Sequence, residues 1–115
     1  FEMSIGGSTI AQIQVKSGTV TTAIGEKVTA WKTLNTISGW LDLSAGESRY
    51  STYDTKIQES THVFISDWVM LDAEAENCRM FINNKLYDVL LIDNPMEMNR
   101  QLEIYLRYVG GQNGI

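Results

Sequence analysis

The sequence predicts a small all-β fold: a β-barrel or sandwich of about six strands, with a long loop or short helix inserted between two of them. Three observations predict it. The stretch Asn77–Val109 holds two β-rich runs, Arg79–Ile82 and Leu86–Ile92, on either side of Asn83-Asn84-Lys85; asparagine tolerates the left-handed backbone that a tight hairpin turn needs. Gln101–Val109 alternates, with Leu102, Ile104, Leu106 and Tyr108 on one face and Glu103, Tyr105, Arg107 and Val109 on the other, which is the period of a half-buried strand. The remaining β-rich runs are short and separated by turn signals, without internal repeats or low-complexity segments, a pattern typical of barrels and sandwiches.

Each element has its own warrant. Ser8–Val15 (STIAQIQV) is a first strand with moderate alternation. Lys16–Lys27 (KSGTVTTAIGEK) is rich in Gly and Thr and reads as a loop or loose hairpin tip. Val28–Leu43 contains the second strand, strongest at Ile37–Leu43. Ser44–Ser60 is polar and lacks strand alternation. Glu47, Tyr50, Tyr53, Asp54, Ile57 and Gln58 fall near helical spacing there, and Ser44 or Ser48 can cap a short helix. This insert is either a surface crossover covering one end of the barrel or a long loop reaching toward a partner or a channel; long loops in compact folds are often functional. Thr61–Val69 is the third strand, and Met70–Glu76 an acidic connector. The Asn77–Val109 hairpin supplies the fourth and fifth strands, and Asp93-Asn94-Pro95 ends the fifth, because proline cannot donate to the ladder. Gln101–Val109 is the sixth, and Gly110–Ile115 a glycine-rich tail expected to fray. The expected interior set is Ile37, Leu41, Val63, Ile65, Leu90, Ile92, Leu102, Ile104 and Leu106.

Composition limits the function classes. At 115 residues, 43% of them hydrophobic, the chain is expected to form one globular domain over 1–115. The single cysteine, Cys78, cannot form an internal disulfide or a zinc knuckle. It is expected to be a small buried residue, and a reduced, intracellular site of synthesis fits it. No apolar run approaches the roughly 20 residues of a membrane span. The first residues lack the charged start and apolar core of a secretory leader, and Met3, behind Phe1-Glu2, is a candidate natural start. A net charge of −5 argues against gripping duplex DNA, which takes Lys and Arg at the phosphates. Ordinary solubility accounts for that charge, and it is compatible with DNA passing close by.

Chemistry is scarce. A catalytic triad would need the one histidine, His62, paired with a nucleophile and an acid, and a metal site would need more ligands. His62 is expected to pack or to hydrogen-bond, on the face opposite Val63 and Ile65. The carboxylate pairs Asp72/Glu74 and Glu74/Glu76 lie in a solvated connector. Gly6-Gly7 and Gly110-Gly111 lack the spacing and following helix of a phosphate loop. Trp31, Trp40 and Trp68 are expected to anchor the core, with an interface hot spot as the alternative for one of them. An aromatic platform for single-stranded nucleic acid is disfavoured by the acidic balance. No catalytic residue, cofactor or metal is expected.

One order of segments carries a family resemblance. Trp31 leads to WLDLSAGES (Trp40–Ser48), a polar insert and the Thr61-His62 pair opening a strand; CRMFINNKLYDVLLIDNP (Cys78–Pro95) and QLEIYLRYV follow. Over Thr29–Val109 this resembles the head–tail joining family of long-tailed bacteriophages and prophages, the head-closure or "stopper" proteins. Arg79, Met80, Phe81 or Ile82, Tyr87 and Val89 fill the places of that family's hairpin motif. The third strand departs from the family, reading Ile65-Ser66-Asp67-Trp68, as does the Met-Glu-Met-Asn-Arg segment after the hairpin. The resemblance implies a virion structural protein, made in the bacterial host cytoplasm. It implies a homo-oligomeric ring, dodecameric in the virion, beneath the portal and adaptor proteins. That ring closes the DNA channel, lets DNA pass without sequence-specific binding, and offers a docking surface to the tail. By the same resemblance the insert reaches toward the channel, with Glu47, Tyr50, Tyr53 and Asp54 facing the channel or a neighbour. A tail terminator or completion protein and a generic β-barrel binding module are the alternatives; an enzyme is not expected.

Overall fold

In a computed structural model the structure describes residues 7–43 and 60–111. Six strands account for most of them: β1 Thr9–Thr21, β2 Lys27–Leu43, β3 His62–Asp67, β4 Cys78–Ile82, β5 Lys85–Asp93 and β6 Gln101–Gly111. They close into a barrel in the order β1-β2-β3-β6-β5-β4, and every neighbouring pair is antiparallel. The only helical pieces among the described residues are single 3₁₀ turns at Ala75–Asn77 and Pro95–Glu97. The expected all-β barrel is therefore the observed fold.

The β4–β5 hairpin turns at Asn83 and Asn84, both left-handed (φ 53° and 63°), as the sequence predicts. β6 keeps its period, and Leu102, Ile104 and Leu106 are fully buried. The core adds Ala11 and Ile13 from β1, Ile37 from β2, Phe64 from β3, Cys78, Met80 and Ile82 from β4, and Tyr87 and Val89 from β5. Leu41 and Ile92 pack against it.

Three expected interior residues are not in this core. On β3 the inward face is that of Phe64, 0% exposed, and Ser66, 1% exposed; Val63 and Ile65 lie on the outer face, half-buried. Both faces of THVFISDWV carry apolar residues, so alternation alone could not orient the strand. The larger ring fills the barrel, and the Ser66 hydroxyl satisfies itself by donating to the Asp67 carbonyl at 3.0 Å. Outside, Ile65 is the register partner of Trp40. The third departure is Leu90. Val89 pairs with Leu106 and Leu91 with Tyr105, so Leu90 is the extra residue of a bulge. A bulge shifts the alternation by one, and Val89 and Ile92 point inward while Leu90 turns outward.

Gly39 is required by a close approach. A Cβ there would overlap the Ile65 carbonyl oxygen and crowd the Phe64 ring. Gly7, at φ +105°, lies against the Gly39 backbone. These glycines let β2, β3 and the start of β1 draw together at that end of the barrel.

Of the two readings of Lys16–Lys27, a loop or a loose hairpin tip, the hairpin is the observed one, and only residues 22–26 form its turn. β1 continues to Thr21 and β2 begins at Lys27, and their ladder runs on through Lys16↔Trp31, Thr19↔Thr29, Val20↔Val28 and Thr21↔Lys27. The β-branched residues there favour extended backbone. The glycines that read as loop signals have narrower jobs. Gly18 (φ +77°) sits in a one-residue bulge between Lys16 and Thr19, and Gly25 (φ +87°) is in the tip turn. β4 stops pairing with β1 at Val15↔Cys78, and β3 pairs with β2 only over Gly39–Leu43. Residues 16–32 thus form a two-stranded arm beyond the barrel wall. At about 3.3 Å per residue the arm is about 20 Å long. It accounts for the elongated shape, 53 × 31 × 23 Å, and for a radius of gyration of 15.0 Å, against about 13 Å for a compact fold of 100 residues.

Candidate functional site

The features that set this barrel apart lie at the end from which the arm leaves. The tip is a tight turn. The Thr22 amide donates to the Glu26 carbonyl (2.7 Å), the Gly25 amide to the Thr22 carbonyl (2.9 Å), and the Glu26 amide to Thr22 Oγ1 (3.1 Å). This closed turn holds Ile24 out in solvent at 85% exposure. Just below it, Val20 and Val28 face each other across the ladder and are also exposed.

The root of the arm is fastened to the wall. The Arg79 guanidinium on β4 lies 4.3 Å from the centroid of the Trp31 ring on β2, and its Nε donates to Gln14 Oε1 on β1 at 2.7 Å. One side chain thus ties three strands where β4 ends. Bulges flank this clamp, at Leu34 on β2 and at Ser17-Gly18 on β1, and bulges bend and twist a ladder. Replacing Arg79 with alanine is expected to cost about 1–2 kcal/mol, from a cation–π contact and a hydrogen bond to a charged group. Amide exchange should quicken across Thr19–Thr29 while β3 and β6 stay protected. Unchanged exchange in the arm would show that Arg79 does not hold it.

Two connections at the same end add to this surface. Residues 71–74 run without regular structure into the Ala75–Asn77 turn, with Leu71, Ala73 and Ala75 packed against the core and Asp72, Glu74 and Glu76 exposed. The β5–β6 connection places Met96, Glu97 and Asn99 in left-handed backbone (φ 55°, 53° and 55°), a conformation costly for non-glycine residues. Asn94 fastens this loop: its Nδ2 donates to Asn99 Oδ1 at 2.7 Å, and its Oδ1 accepts from the Asn99 amide at 3.0 Å. The loop leaves Met96 and Met98 exposed, as the neighbouring connection does Met70.

The opposite end carries the Thr61-His62 pair. Thr61 Oγ1 lies 2.8 Å from His62 Nδ1 and accepts from the Tyr108 amide at 2.8 Å. The His62 ring stands edge-on to Tyr87, with centroids 5.1 Å apart, and Tyr108 completes the cluster. Burial, with the Lys85 charge, lowers the His62 pKa. Its neutral form is favoured, as suits a packed and hydrogen-bonded histidine. Leu43 is the register partner of His62, so this is where residues 44–59 leave and rejoin the barrel.

Burial, then the Glu103 charge and its hydrogen bond, then Asp93, push the Tyr105 hydroxyl up to about 12; Tyr105 Oη donates to Glu103 Oε1 at 3.2 Å. The folded state holds this proton where the unfolded chain would release it. The barrel should therefore lose stability as pH rises from about 10, the ordinary tyrosine value, through 12. Burial also raises the Tyr87 hydroxyl, so an ultraviolet titration should show late tyrosine absorbance, of which Glu103→Gln moves the Tyr105 part earlier. An unmoved transition would overturn the assignment.

Of the sequence-predicted site residues, Glu47, Tyr50, Tyr53 and Asp54 lie outside the described residues. Cys78 is buried and free, and burial raises its pKa, which suits packing and not nucleophilic chemistry. The tryptophans divide: Trp68 packs against the core, Trp31 is half-buried under Arg79, and Trp40 is 53% exposed on the outer wall. Among the described residues no group of three or more His, Cys, Asp or Glu side chains is placed to hold a metal ion, and no helix is long and apolar enough to cross a membrane. At Lys16–Lys27 the sequence suggests a hairpin tip but not the length of paired ladder below it. Its signal was present: Val20 and Val28 flank the tip symmetrically, and Thr19-Val20-Thr21 is β-branched throughout.

No protein-family model matches the chain, and no curated protein matches it in sequence.

Proposed function

We propose that this protein is a structural component of the head–tail connector of a long-tailed phage or prophage. It forms a homo-oligomeric ring beneath the portal and adaptor, closes the DNA channel and provides a docking surface for the tail. Its role is mechanical and not catalytic, and its place is the virion. One observation carries the reading. Every strand of the barrel wall is paired on both sides, while the arm and the 44–59 insert depart from opposite ends of β2. Where a strand is paired on both sides it does not recruit partners by strand addition, so contacts fall to the extensions, as suits a unit that is stacked between a head and a tail. The segment order from Trp31 to Val109 adds the family resemblance, and the net charge of −5 suits a ring past which DNA slides without sticking.

Binding to assembled portal–adaptor complexes tests this. The protein should decorate the adaptor end as a ring in electron micrographs. Binding to the free end of a tail tube instead would make it a tail terminator. Binding to neither would remove the connector reading.

A further inference from the structure

We infer that the arm is a grip on a second copy of this chain: its apolar tip and its lysines seat on the acidic, methionine-bearing end of the neighbouring barrel. The inference deepens the ring assembly proposed above by naming the contact that joins adjacent copies.

The arm is poorly provided for on its own. A two-stranded hairpin is marginally stable in water; Val20, Ile24 and Val28 leave apolar surface exposed, and among the described residues the ladder beyond Val15↔Cys78 is only that of β1 with β2. Burying these side chains against a partner supplies what the barrel does not.

Charge identifies the partner. The arm carries Lys16, Lys27 and Lys32 against the single acid Glu26. The chain as a whole is −5, so the acidic excess sits entirely on the remainder. At the arm's own end of the barrel that excess is displayed by Asp72, Glu74 and Glu76, held outward because the residues between them pack on the core. Beside that acidic edge the two connections expose Met70 and Met96, and methionine accepts irregular apolar partners readily. One chain therefore bears both halves of a contact: a basic, apolar-tipped projection and an acidic surface with adaptable apolar side chains. The two halves are met either reciprocally, in a two-fold pair, or head-to-tail, and head-to-tail contacts close into rings when the rotation permits.

Equal parts of isotopically light and heavy protein, concentrated and treated with a zero-length carbodiimide, provide the test. The reagent joins a lysine amine to a carboxylate in salt-bridge range. Light–heavy cross-links are expected from Lys16 or Lys27 to Asp72, Glu74 or Glu76. Because the charge reversals also remove the groups that the reagent joins, the variants are read by sedimentation: K16E/K27E should weaken self-association by at least about tenfold, since like charges then face each other across the contact. D72K/E74K/E76K should weaken it equally, and a chain carrying both sets should recover. All five positions are exposed, and circular dichroism checks that each variant folds. Cross-links confined within single chains, self-association unchanged by arm reversal, or an arm that binds duplex DNA instead would overturn the inference. Arm-reversed protein that still decorates the portal–adaptor as a ring would sink the arm and leave the connector. Arm-dependent oligomers that ignore the portal–adaptor would sink the connector and leave the arm.

Discussion

Replacing Phe64 with alanine is expected to destabilise the barrel by about 3–5 kcal/mol, the range for emptying a buried aromatic site. Phe64 is 0% exposed. Its register partners are Leu41 on β2 and Ile104 on β6, and its ring crowds the position where Gly39 lacks a Cβ. Closed strands around it cannot easily collapse into the void. Ile65→Ala, one residue on, removes an outer-face side chain that is only half-buried and should cost about 1 kcal/mol. Urea unfolding of the two variants reads the difference directly. Equal costs, or a larger cost at Ile65, would mean that β3 faces the other way.

Deleting Tyr50–Lys56 and bridging the gap with Gly-Ser is expected to leave the barrel folded and to abolish DNA retention in packaged heads. Leu43 and His62 are register partners, so the ends of the insert already meet, and closing a shorter or longer loop between them changes stability little. In the proposed connector the insert is the part that reaches the channel, at most about 25 Å out and back at 3.3–3.6 Å per residue. The arm cannot take its place, because it leaves from the other end of β2. Circular dichroism reads the fold, and nuclease-sensitive DNA reads the leak. Heads that keep their DNA with a folded deletion variant would place the closure elsewhere and leave the protein a docking adaptor.

Much of this architecture is local, and local structure is legible in a chain. The turn at Asn83-Asn84 needs left-handed backbone, and asparagine supplies it. β6 has one apolar and one polar-rich face, so its period orients it without help from the rest of the molecule. The proline at 95 ends the fifth strand because it has no amide to give. These features determined an all-β fold, its strand order along the chain and the share of the core that Ile37, Leu102, Ile104 and Leu106 supply, before any three-dimensional information. They also placed His62 opposite Val63 and Ile65, where it packs and hydrogen-bonds.

What the tertiary structure decided was every question that two elements must answer together. Which face of β3 turns inward depends on what fills the barrel, and Phe64 with a self-satisfied Ser66 prevails over Val63 and Ile65. The bulge at Leu90 shows only in the register of β5 on β6, and that one-residue slip moved Leu90 outward. The arm exists because β1 and β2 pair with each other beyond the point where β4 and β3 stop. Glycines that serve a loop and glycines that serve a bulge look the same in a sequence, so Gly18 reads like Gly25, although only Gly25 lies in the turn. The clamp of Arg79 on Trp31 and Gln14 joins residues distant in the chain; its geometry is a property of the closed barrel, since only closure brings β4 beside β1.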